Sequence, residues 1–463
     1  MRYLSTRGAG PVSFLEALLQ GLAPDGGLYI PEAWPVIAGE EIARFSAMPY
    51  AEVAGAILGR FVGEEEIATE TLMRICVDAY AAFDHPAVAP LEQLAPGLFL
   101  LQLFHGPSLA FKDIAMVLIA RLIDHALAER SETRTIVCAT SGDTGGAAVS
   151  AFAGAARVRL VALFPEGRIS EVQRRFMTTA EADNVRAVAV TGDFDACQAI
   201  LKALFADRVF CAEVGLAAVN SINFARIAAQ CVYYFTAAAS LGAPDRAASF
   251  CVPTGNFGDA FAGWAAARMG LPVERIMAAT NANAILARAL ETGRYQRGAL
   301  HATQSPAMDI QVASNFERLY FEASERDAKR TGEAFAAFER GEAIELPEAG
   351  QGNRPRLLRG RSIDEEETAA AMAGAWRGSR TLIDPHTAVA LAAALAEPPS
   401  ASPMVVLATA HPAKFPHAVE RATGRAPDLP EAVRRLASRP ERLERLGADL
   451  EGVKAFVRAF AGS

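Results

Sequence analysis

The sequence predicts an α/β protein, a mostly parallel sheet covered by helices on both faces, and three features of its text predict it. From Leu98 onward short apolar runs recur, and each ends in a loop of Gly, Asn or Thr that opens an Ala-rich helix. T-I-V-C-A-T leads into S-G-D-T-G-G and then A-A-V-S-A-F, while S-F-C-V-P-T leads into G-N-F-G-D and then A-F-A-G-W-A-A-A-R-M. The runs are apolar throughout instead of alternating, as expected of parallel strands buried on both faces. Finally, 51% of the 463 residues are hydrophobic and 21% charged, enough to fill compact cores.

At about 150 residues per domain the length allows two to three domains' worth of core. Residues 1–95 read as an N-terminal, mainly helical region, with F-L-E-A-L-L-Q-G-L and A-E-V-A-G-A-I-L-G-R-F between Gly/Pro turns. The α/β core is expected over 96–325. A charged stretch at 326–375, with L-P-E-A-G-Q-G-N-R-P-R and D-E-E-E-T, reads as a helical insertion with a solvated face. The α/β pattern returns at Thr381 and completes the core over 376–463.

A net charge of −8 argues against a nucleic-acid-binding surface. The N-terminus lacks the apolar centre of a signal peptide, and there is no apolar run of about 18 residues for a membrane span, so a cytoplasmic protein is expected. Cys76, Cys138, Cys197, Cys211, Cys231 and Cys251 show no C-x-x-C spacing and read as reduced, buried small hydrophobes. The seven histidines form no H-E-x-x-H pattern, so no metal site is expected.

The chain has only five lysines, and Lys112 stands apart from Lys202, Lys329, Lys414 and Lys454. It ends H-G-P-S-L-A-F-K and precedes the apolar helix I-A-M-V-L-I-A-R-L-I, which suits an enclosed amine whose pKa is pulled down to make it a nucleophile and proton carrier. The competing reading is a snorkelling lysine at a helix entrance. Lys414 reads only as part of a Pro-bounded loop.

Ligands of open parallel sheets sit at the carboxyl ends of the strands, where this chain puts its polar loops. Gly255, Asn256, Phe257, Gly258 and Asp259 follow a strand and open a helix; their N–H groups suit a phosphate, unless the loop is simply a tight turn. Ser141 to Gly146 forms a second such loop, containing Asp143 and Thr144. Asn220 ends a third strand, and Arg226 on the next helix suits an anion or a structural ion pair. Asp384 reads as a helix cap, and Thr409 offers a hydroxyl at a strand end. No Walker loop and no G-x-G-x-x-G after a strand is present. A candidate lysine nucleophile together with a strand-end phosphate cradle points to pyridoxal phosphate, whose aldehyde needs an amine and whose phosphate needs an anion site.

The chain also resembles the threonine synthase family, pyridoxal 5'-phosphate enzymes of the tryptophan-synthase-β-like fold (fold type II), in the branch with a long N-terminal region. The strings are Y-L-S-T-R-G, H-G-P-S-L-A-F-K-D, A-T-S-G-D-T-G, F-P-E-G-R-I-S-E-V-Q, N-S-I-N-F-A-R-I, P-T-G-N-F-G-D, A-T-N-A-N, P-A-M-D-I-Q-V-A-S-N-F-E-R, D-P-H-T-A and A-T-A-H-P-A-K-F, all in order. The resemblance implies two open, mostly parallel sheets and a lyase of threonine biosynthesis. Its reaction turns O-phospho-L-homoserine and water into L-threonine and phosphate, in a monomer or homodimer.

It further implies that Lys112 carries the cofactor, that Gly255 to Asp259 cradle its phosphate, and that Thr409 meets its ring nitrogen. Ser141, Thr144, Asn220 and Arg226 then hold the substrate's phosphate or carboxylate. Many relatives have Asn where this chain has Asp143, and that Asn bonds the cofactor's phenolic oxygen; an aspartate would face it with like charge unless a proton is shared, but the branch with the long N-terminal region uses Asp at this position, so the resemblance carries Asp143 over as a cofactor contact. The competing functions are a phospholyase or dehydratase releasing a 2-oxo acid and ammonia, and a non-catalytic cofactor-binding homologue.

Overall fold

The computed structural model describes residues 1–217, 221–347 and 357–462. The first 80 residues are mainly helical, with helices Phe14–Gln20, Gly39–Phe45, Tyr50–Leu58 and Thr69–Tyr80. The only strands among them are β1 (Tyr3–Ser5) and β2 (Tyr29–Pro31), an antiparallel pair. Ser13 starts the first helix with a capping box closed by Glu16, as S-x-x-E before an apolar run predicts.

Beyond this region the parallel strands fall into two sheets. In chain order they are β3 (Leu91–Ala95), β4 (Leu98–Gln102), β5 (Arg134–Ala139), β6 (Val158–Pro165), β7 (Val185–Val190), β8 (Leu216–Ala217), β9 (Ala248–Pro253) and β10 (Val273–Thr280). A small antiparallel pair, β11 (Arg294–Tyr295) and β12 (Ile344–Glu345), intervenes before β13 (Leu358–Ser362), β14 (Met404–Ala408) and β15 (Leu443–Leu446). The larger sheet runs β13-β10-β9-β14-β4-β3, antiparallel only at β3–β4; the smaller runs β15-β7-β6-β5-β8, parallel throughout. Every residue of β9, A-S-F-C-V-P, is buried, as an unalternating apolar strand in mid-sheet must be.

Sheet order departs from chain order where it matters for the site. β14 lies between β4 and β9, with Val406 beside both Leu100 and Cys251, so the larger sheet closes only with residues far along the chain. β13, within the stretch expected to be an insertion, is the larger sheet's edge strand, and β15 is an edge of the smaller one. Residues 381–384 join neither sheet; Asp384 instead caps helix Pro385–Leu395, accepting from the N–H groups of His386 and Thr387 at 3.0 Å each.

Two helices hold the sheets and the N-terminal region together. Helix Lys112–Glu129 buries twelve residues around its whole circumference, which explains its unbroken apolar text. Helix Phe224–Ser240 packs against it and against the helices Gly39–Phe45 and Tyr50–Leu58, and its Phe224 ring meets Tyr3 and Phe61 at centroid distances of 5.2 and 5.4 Å. The N-terminal region is further tied down by Thr6 and Arg7. Thr6 donates its hydroxyl to Glu317 at 2.6 Å, and Arg7 grips both oxygens of the same carboxylate at 3.0 and 2.9 Å.

Candidate active site

Lys112 is presented by a turn that lies along the end of β14. The N–H of Leu103 donates to Ala408 and that of Phe111 to Thr409 (2.9 and 2.8 Å), and Ala110 bridges Ala410. Asp113, fully buried, closes the turn from beneath by accepting from the N–H and hydroxyl of Ser108 at 2.8 and 2.7 Å. Lys112 is therefore fixed as the first residue of its helix, beside Thr409.

Its surroundings are charged and dry. The Lys112 side chain is 13% exposed, and its Nζ lies 3.8 Å from Asp143 Oδ2, the first residue of the helix after β5. The larger sheet's lysine thus meets the smaller sheet's first polar loop. Burial pulls the Lys112 amine below its ordinary value; Asp143 opposes this, while the like charges of Lys414 and Arg226 add to it. Asp143 moves the other way. Burial alone would raise it, but Lys414, with a Nζ–Oδ1 distance of 2.7 Å, and Lys112 together hold it ionised and far below the carboxylate range. Gln173 also donates to Oδ1 at 2.9 Å, from a helix opened by the capping box of Ser170.

The neighbouring strand end supplies anion-binding groups. β9 lies next to β14 and parallel to it, so the loop after Pro253 emerges along the same edge, one strand spacing of about 4.8 Å away. Phe257, in the left-handed region (φ 65°), starts helix Gly258–Arg268 without any side-chain cap, which leaves first-turn N–H groups unsatisfied. Gly255 is held close to the backbone of Ala307, whose oxygen lies 2.8 Å from where a Cβ would stand. The Asp259 side chain turns away into the protein, accepting from the hydroxyls of Tyr233 and Tyr234 at 2.5 and 2.9 Å. Only its backbone N–H belongs to the loop's cradle. Burial pushes its carboxyl up to about 6 despite these bonds.

Arg226, third residue of helix Phe224–Ser240, is 5% exposed, and its Nη1 makes no hydrogen bond among the described residues. Burial lowers its guanidinium to about 10, and the neighbouring Tyr233 and Asp259 side chains offset this only in part. A buried cation with an unpaired N–H suits an anionic ligand.

Of the remaining expected residues, Ser141 is exposed and Thr144 half-buried, both at the loop and first turn beside Asp143. Thr409 is buried at the end of β14. Asn220 lies outside the described residues. Three contributors escaped the sequence reading. Lys414, 1% exposed, is no ordinary loop lysine, and its only early sign was its place in A-T-A-H-P-A-K-F. Gln173 was visible only as the last residue of F-P-E-G-R-I-S-E-V-Q, with no role attached. His386 bonds Asp384 at 2.6 Å and receives the N–H of Ala307, linking the helix cap to the segment that covers Gly255.

A buried amine, a buried guanidinium with an unpaired N–H that acts on it, and an uncapped helix start fit a ligand bearing an aldehyde and a phosphate, which is what pyridoxal phosphate offers. Fold and site define a pyridoxal-phosphate-dependent enzyme of fold type II, and residues 84–410 match the family model of pyridoxal-phosphate dependent enzymes. Residues 2–80 match the threonine synthase N terminus and 387–457 the threonine synthase C-terminal model. The chain is 47% identical to threonine synthase of Pseudomonas aeruginosa, with 99% of this chain and 98% of that one covered, and 38% identical to that of Saccharomyces cerevisiae (99% and 95%). It superposes on the PLP-bound threonine synthase from Brucella melitensis with a TM-score of 0.97 at 47% identity over all of both chains. With threonine synthase from Escherichia coli the score is 0.83 at 34% identity, over 99% of this chain and 100% of that one. The chain belongs to the threonine synthase family.

Among the described residues, no group of three or more His, Cys, Asp or Glu side chains could hold a metal ion, and no helix is long and apolar enough to cross a membrane.

Proposed function

We propose that the chain converts O-phospho-L-homoserine and water to L-threonine and phosphate where the carboxyl ends of its two sheets meet, with Lys112 as the cofactor-bearing residue and proton carrier. The observation that carries this is the Lys112 amine, enclosed, lowered in basicity and facing Asp143 at 3.8 Å. Bound pyridoxal phosphate supplies a conjugated ring that takes up electron density from the carbon losing a proton. Lys112 Nζ is the group placed to remove the α-proton and to return a proton later at the γ-carbon, because an enclosed amine pulled below its usual pKa gives up its own proton more readily than an ordinary lysine. Between those two events a β-proton is lost and phosphate leaves the γ-carbon; the hydroxyl of water then adds at the β-carbon, and a proton returns to the α-carbon.

The other residues bind and orient. Arg226 has a free buried N–H for an anionic end of the substrate, and Ser141 and Thr144 offer hydroxyls beside Asp143. Asn220 is proposed for the same task. The first-turn N–H groups from Asn256 to Asp259 hold the cofactor phosphate, and the Thr409 hydroxyl meets its ring nitrogen. Six free cysteines support a reducing, cytoplasmic setting.

The test is an absorbance spectrum of cofactor-supplied protein before and after borohydride, followed by assay of threonine and phosphate from O-phospho-L-homoserine. The expected result is a Schiff-base band trapped on Lys112, with the two products in equal amounts, and loss of both by Lys112→Ala. A 2-oxo acid and ammonia without threonine would move the function to a phospholyase. No band at all would undo the reading of Lys112.

A further inference from the structure

Lys414 is the most enclosed of the lysines, and the mechanism above does not use it. Its Nζ bonds Asp143 Oδ1 at 2.7 Å and the carbonyl of Ser108 at 2.8 Å, and it sits 5.5 Å from the Phe176 ring centre. It thereby joins three segments that each border Lys112: the loop after β14, the turn before Lys112 and the loop after β5. With Gln173 on the same oxygen, Asp143 Oδ1 is saturated, and Oδ2 is the atom left facing Lys112.

We propose that Lys414 is a positioning residue that acts through Asp143: the two form one net-neutral buried unit, which lets a carboxylate oxygen stand as an acceptor beside the Lys112 nitrogen without an unpaired charge next to it. The inference rests on the reading of Lys112 as the cofactor's anchor. Without Lys414, Asp143 would be an under-compensated buried carboxylate, and without Asp143, Lys414 would repel a protonated nitrogen on Lys112; paired, they cancel at that range while keeping Oδ2 as an acceptor. The charged groups that act on Lys112 are Asp143 from the helix after β5, Lys414 from the loop after β14, Arg226 from helix Phe224–Ser240 and Asp113 from its own helix. Only the first two are bound to each other.

The experiment compares wild type, Lys414→Met, Asp143→Asn and the double variant, all as holoenzyme, by the pH titration of the Schiff-base absorbance band and by cofactor affinity. A cooperative thermal melt serves as the check on folding. Lys414→Met should move the band's midpoint upward by roughly one pH unit and Asp143→Asn should move it downward, as loss of one neighbouring charge of each sign dictates. The double variant, neutral at both positions, should return near the wild-type midpoint and regain the cofactor affinity that each single change loses. The proposal is overturned if Lys414→Met melts cooperatively with an unmoved midpoint, or if the losses of cofactor affinity in the single variants add in the double instead of being regained. Absence of the band from wild type would fail the reading of Lys112 instead.

Discussion

Arg226→Met is expected to stabilise the protein without its ligands while weakening its hold on anions. A guanidinium in ordinary surroundings is charged at every working pH; burial brings this one down to about 10, which corresponds to roughly 3 kcal/mol against the charged form. An independent count gives the same size, since a buried charged group with an unsatisfied donor costs about 1–3 kcal/mol. Methionine has a comparable length, no charge to bury, and neighbours in Phe224, Ile227 and Tyr233 that already form the core. The apoprotein should therefore gain about 1–3 kcal/mol, a rise in Tm of some 2–6 °C at about 2 °C per kcal/mol for a long chain. The two assays are scanning calorimetry of apoprotein and inhibition by inorganic phosphate, for which the variant should need on the order of tenfold more. A lowered apoprotein Tm would refute the idea that Arg226 is under-compensated, and unchanged phosphate inhibition would refute its role in binding.

Two further changes test the framework around the site. Asp259 is an acid whose folded pKa, about 6, lies above its unfolded value, so its contribution to stability is full below about pH 4 and is lost as pH rises through 6. Asp259→Asn keeps an acceptor for Tyr233 and Tyr234 and should flatten the stability curve between pH 4 and 6; urea midpoints at several pH values measure this, and an unaltered slope would count against the assignment. Glu317→Gln breaks a bidentate pair in which the carboxylate is 5% and Arg7 19% exposed, and should lower stability by about 2–3 kcal/mol. Because the pair pins the N-terminal region to the helix Phe316–Ala323, limited proteolysis should then cut first within the initial 80 residues, and a wild-type digestion pattern would show that the packing of Tyr3 and Phe61 suffices.

Much of this was readable in advance because it depends on short stretches of chain. Buried parallel strands are written as unbroken apolar runs, their loops as Gly, Asn and Thr, and the helix behind Lys112 as a run apolar on every side. Those patterns give strands, helices and the strand-end loops where ligands bind, and the isolation of Lys112 among so few lysines points to the reactive amine. The capping role of Asp384 followed from D-P-H-T in the same way.

What no local pattern contained was which loops face one another. Lys414 reads only as part of a Pro-bounded loop because its partners, Ser108 and Asp143, come from the other half of the chain and are brought to it only when β14 slots between β4 and β9. The same applies to Asp259, whose loop is legible but whose side chain goes to two tyrosines of another helix, and to β13, a sheet edge inside a segment that reads as charged surface. The sequence by itself determined most of the elements and the fold class, and it singled out Lys112 as the lysine proposed to react. Only the tertiary structure decided how buried charges are paired, since desolvation and Coulomb attraction act on distances that sheet order sets and chain order does not.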